Sequence, residues 1–68
     1  MTTVFEGIPQ FGGICGDYAL VTGIKDRVVI RAIDEMAEEA VTIAMTPDQA
    51  RALAAGIVAA AENAEAHQ

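Results

Sequence analysis

Val41-Thr42-Ile43-Ala44-Met45, then Thr46-Pro47-Asp48-Gln49, then Ala50 through Ala66 (VTIAMTPDQARALAAGIVAAAENAEA) is the stretch that decides the fold. Its first five residues are β-branched or apolar at alternate positions, so Val41, Ile43 and Met45 point to one side of a strand. The next four carry the marks of a helix start. Threonine caps, proline takes the first helical position, aspartate meets the positive end of the dipole, and glutamine completes a capping box. From Ala50 to Ala66 there is no proline and one glycine, Gly56. At 100° per residue, Leu53, Ile57 and Val58 share one face with Ala50, Ala54, Ala61 and Ala64, which predicts an amphipathic helix over 46–66. Leu53, Ile57 and Val58 are its expected core face.

Upstream, Tyr18-Ala19-Leu20-Val21-Thr22 reads as a strand, and Gly23-Ile24-Lys25-Asp26 carries turn chemistry. Arg27 through Ile33 follows as a second strand, with Val28, Ile30 and Ala32 on one face and Arg27, Val29, Arg31 and Ile33 on the other. Asp34 to Glu39 then forms the loop leading to the strand at Val41. A helical reading competes here, because Val29, Ile33, Met36 and Ala40 are spaced by four, three and four. The β-branched run Val28-Val29-Ile30 favours strands. Residues 1–16 hold four of the six glycines and Pro9, which predicts an irregular arm that docks Phe5, Ile8, Phe11 and Ile14 on a core, with a short strand around Thr3–Glu6 as the weaker alternative. The expectation is α+β: a single domain over 1–68, with an arm at 1–16, a three-stranded antiparallel meander over 17–45, and one long C-terminal helix packed on it.

The segment VTIAMTPDQARALAAGIVAAAENAEA resembles the C-terminal tail of small actinobacterial and actinobacteriophage proteins: a strand, a Thr-Pro-acid cap and an Ala/Leu-rich helix. The resemblance covers about the last third of the chain. It implies the strand-to-helix order and no activity.

Bulk properties narrow the function classes. A chain of 68 residues buries only about 60% of its extended surface, so it leans on a disulfide, a metal or a partner. Cys15 is the only cysteine and His67 the only histidine. Neither a disulfide nor a structural zinc set can be assembled from them, and the lone thiol suggests a reducing, cytoplasmic setting. That leaves self-association or an outside protein partner. Hydrophobic residues make up 53%, but 14 of them are alanine, which favours helix and close approach over a bulky core. Ala52, Ala55 and Ala59 lie opposite Leu53 and Ile57 and are a candidate self-association face. The N-terminus lacks the basic and apolar regions of a signal peptide, and no run reaches the length of a membrane span.

The chemistry-bearing clusters point away from catalysis. Gly12-Gly13-Ile14-Cys15-Gly16-Asp17 lacks the Gly-Lys-Ser/Thr ending of a phosphate loop and the spacing of a dinucleotide fingerprint. Cys15 has only Asp17 as a nearby charge, which disfavours a thiolate. No serine is present. Asp34/Glu35 and Glu38/Glu39 read as a solvated loop and lack calcium-loop grammar. No catalytic, cofactor or metal residue is assigned. Lys25, Arg27 and Arg31 gather three of the four bases on one hairpin, a candidate nucleic-acid contact opposed by the net charge of −6. The expected function is a non-catalytic, homo-oligomeric protein–protein interaction or regulatory module, with a nucleic-acid-associated regulator as the alternative.

Overall fold

The computed structural model describes residues 1–7, 16–35 and 37–67. They form an α+β fold: a four-stranded antiparallel sheet in the order β1-β2-β3-β4, followed by one C-terminal helix. The strands are β1 (Thr2–Glu6), β2 (Asp17–Ile24), β3 (Arg27–Asp34) and β4 (Glu39–Met45), and the helix α1 runs Pro47–Ala66.

Three of these strands match the meander expected over 17–45, and the competing helix over 29–40 does not form: Val28-Val29-Ile30 lies inside β3. The fourth strand corrects the expectation. Thr2 to Glu6 pairs with β2 from Thr2↔Thr22 to Glu6↔Tyr18, so the start of the supposed arm belongs to the sheet. Its β-branched and aromatic content (Thr2, Thr3, Val4, Phe5) suits a pleated surface. The two threonine hydroxyls of the Thr2–Thr22 pair lie 3.0 Å apart. Beyond Glu6 the ladder continues through Gly7 N–H to the Asp17 carbonyl at 2.9 Å. The expected docking of Ile8, Phe11 and Ile14 falls outside the described residues.

The β2–β3 and β3–β4 turns each use left-handed backbone at a residue other than glycine. Lys25, first of the two residues between the paired Ile24 and Arg27, has φ 52°. In the β3–β4 loop Glu38 has φ 56°, and the Asp34 carboxylate accepts the Ala37 N–H at 3.1 Å. Asp34 thus does turn work of the kind short acidic side chains favour.

The helix start follows the sequence in detail. Thr46 Oγ1 accepts the Gln49 N–H at 3.1 Å, and Gln49 Oε1 accepts the Thr46 N–H at 3.0 Å, a reciprocal capping box with Pro47 opening the first turn. The far end is less defined, with no basic residue in its last turn. His67 caps it, its ring Nδ1 lying 2.8 Å from the Asn63 carbonyl.

The helix is not packed across the sheet, which corrects the expected architecture. It touches the sheet mainly at β3, and every residue from Arg51 to His67 is exposed. The cause is local. Met45 ends β4 and Pro47 begins α1, so Thr46 alone forms the junction. Strand-to-helix connections that fold a helix back onto its own sheet commonly use about 2–6 residues. Here the connection is the single capped residue Thr46. The result is an open molecule. Its radius of gyration is 13.8 Å, where a compact chain of this length has about 11 Å. Among the described residues only Gly16 is buried, and no hydrophobic side chain is.

Candidate functional site

Antiparallel register sorts the side chains of the sheet, since residues directly opposite one another share a face. One face carries the rows Thr3–Val21–Ile30–Ile43 and Phe5–Ala19–Ala32–Val41, extended at one end by Val28 and Met45. At the other end the same face finishes in Asp17, Asp34 and Glu39. Apart from Thr3 and this acidic edge, it is wholly apolar. The opposite face is mixed, with Val4, Leu20 and Ile33 among Glu6, Tyr18, Arg27, Arg31 and the threonines.

The apolar face has relief. Phe5 on β1 and Val41 on β4 stand at its edges, with Ala19 and Ala32 between them. Three strand spacings separate the edges, about 14 Å. The alanines make the middle low, and the hollow over them is an open concavity of 510 Å³. Phe5 and Val41 remain 56% and 59% exposed, so among the described residues nothing covers the walls of this trough.

The helix presents the second uncovered apolar surface. Leu53 is 40% exposed, Ile57 61% and Val58 56%. These are the residues expected to form the helix's core face, and among the described residues no hydrophobic side chain is buried. Ala52, Ala55 and Ala59 on the other side of the helix are also exposed. The molecule's accessible area is 5500 Å², about 1,400 Å² above the value that surface scaling gives a compact monomer of 7.1 kDa. A stable interface takes about 800 Å² from each partner. The excess is large enough to supply one.

The other sequence candidates are placed as follows. Arg27 and Arg31 lie on the mixed face, and Lys25 sits in the adjoining turn, all three exposed. Register sets Tyr18 on the same face, one row beyond the Leu20–Arg31 pair, an aromatic neighbour that sequence spacing did not connect to the bases. The row Asp17–Asp34–Glu39 was likewise hidden, because its members are seventeen and five residues apart and only the strand register aligns them. Cys15 and the Gly12–Cys15 cluster lie outside the described residues. Among the described residues no group of three or more His, Cys, Asp or Glu is arranged to hold a metal ion, and no helix is long and apolar enough to cross a membrane.

No protein-family model, curated protein or solved structure matches the chain.

Proposed function

We propose that this protein is a non-catalytic protein–protein interaction module that works as a homodimer. The observation that carries this reading is the pairing of two uncovered apolar surfaces, the sheet trough and the Leu53–Ile57–Val58 stripe, in one chain. Apolar patches of this extent on a small monomer usually mark an interface. A second copy is the occupant favoured here, because it brings a complement for both surfaces at once. Such a dimer leaves the mixed face with Tyr18, Arg27 and Arg31 on the outside, as the surface available to a further partner. Sedimentation equilibrium tests the dimer: a mass of twice 7.1 kDa supports it, and a monomer at millimolar concentration refutes it.

A second reading, that the Lys25–Arg31 hairpin contacts nucleic acid, is favoured by the alignment of Arg27, Arg31 and Tyr18 on one face. The net charge of −6 opposes it. Salt-dependent retention on DNA that Arg27→Ala/Arg31→Ala abolishes would support this reading. Equal flow-through of parent and variant would end it.

A further inference from the structure

We infer that the dimer is an exchanged one, in which the helix of each copy lies along the trough on the sheet of the other. This rests on the homodimer reading and specifies its geometry. Three observations carry it. The first is the junction: with Thr46 alone between β4 and α1, and both of its capping hydrogen bonds made, the chain has no loop with which to turn the helix back. Short, stiff hinges are a general route to exchange of an element between identical chains. The second is shape. A helix with its side chains is roughly 10–12 Å wide, and the walls Phe5 and Val41 stand about 14 Å apart over the small floor of Ala19 and Ala32. The helix's 20 residues span about 30 Å, close to the roughly 27 Å of an eight-residue strand, so it can run the length of the apolar face, over the Ala19–Ala32 hollow and the Val21–Ile30 row beside it. The third is chemistry. The stripe facing the trough would be Leu53, Ile57 and Val58 among alanines, and the trough is apolar except at its acidic edge. Fold-back onto the same sheet would bury the same surfaces, and the hinge is what selects the other copy.

Disulfide trapping in a Cys15→Ser background tests the arrangement. One chain carries Ala32→Cys on the trough floor, and a second chain of different tag length carries Ala54→Cys or Ala61→Cys on the helix stripe. The two are refolded together and mildly oxidised. A mixed disulfide between the two chains supports exchange. In a parallel sample a single chain carries both substitutions, and disulfides there that run as cross-linked monomers overturn exchange in favour of fold-back. Helix-to-helix disulfides through Ala55→Cys, without sheet-to-helix ones, also overturn it while leaving the homodimer standing. A monomeric parent sinks both. With Cys15 retained, an internal disulfide from Cys15 to Ala32→Cys identifies residues 8–15 as the occupant of the trough and overturns exchange as well. A second measurement does not depend on trapping. A Gly-Asn-Gly insertion between Met45 and Thr46 lengthens the hinge, so the helix can close on its own sheet. A short flexible tether gives an effective concentration on the order of millimolar, which favours closure over a micromolar partner by about a thousandfold. The insertion variant should therefore sediment as a folded monomer with the parent's helix content. A variant that dimerises as tightly as the parent overturns the inference.

Discussion

Ile57→Ala separates a lone chain from an assembled one by the size of its effect. Burying an isoleucine side chain is worth roughly 1.5–3 kcal/mol, and in a single chain Ile57 is 61% exposed, so only about two-fifths of that is at stake. Alanine is also the better helix former by a few tenths of a kcal/mol. In an isolated chain the net cost is therefore below about 1 kcal/mol. If Ile57 lies in a dimer interface, truncation leaves a cavity and costs about 2–5 kcal/mol per site. Two sites per dimer give roughly 4–10 kcal/mol, which at 1.4 kcal/mol per decade raises the dissociation constant by about three to seven decades. Denaturant titration followed by helix ellipticity, at several protein concentrations, reads the stability. Sedimentation of the same samples reads the mass. The expected result is a variant that is monomeric or unfolded where the parent is a folded dimer. A variant that unfolds within about 1 kcal/mol of the parent, at the same mass, refutes the burial of this face.

Three further outcomes follow from named contacts. Thr46→Ala removes the acceptor of the Gln49 N–H and should cost about 1 kcal/mol of stability, read as a lower denaturation midpoint. Ala32→Leu raises the trough floor on an exposed strand position; it should leave an isolated sheet intact but weaken dimerisation by about 1–3 kcal/mol through overpacking, measured by dilution. Glu38→Gly relieves a left-handed backbone at φ 56° and should stabilise by about 0.5–1 kcal/mol after the added entropy of glycine, seen as a higher melting temperature.

Much of the fold was legible because local chemistry and tertiary structure agree. The Thr46–Gln49 cap, the strand at Val41–Met45 and the β-branched run at Val28–Ile30 each specify their own backbone, and each formed as read. Val28, Ile30 and Ala32 share one face of β3 as read, and so do Val41, Ile43 and Met45 on β4; that the two sets lie on the same face of the sheet came only with the register. The strand at Thr2–Glu6 was legible only as an alternative to the arm, because ten residues separate it from β2 and no tight-turn signal announces the pairing. The position of the helix was misread for a different reason. An amphipathic stripe says that a face must be covered and is silent on which chain covers it. That information sat in the length of the junction, the single residue Thr46 between strand and helix. The trough itself was invisible before register was known, because Phe5, Ala19, Ala32 and Val41 come from four different strands.

The central claim is that the apolar trough and helix stripe are covered by a second copy, and the concentration dependence of unfolding tests it most directly. For a dimer whose chains fold only together, stability is tied to protomer concentration, so the melting temperature should climb steadily from micromolar to millimolar protein while sedimentation gives twice the chain mass. A melting temperature that stays fixed across that range, with the mass of a single chain, would contradict the account.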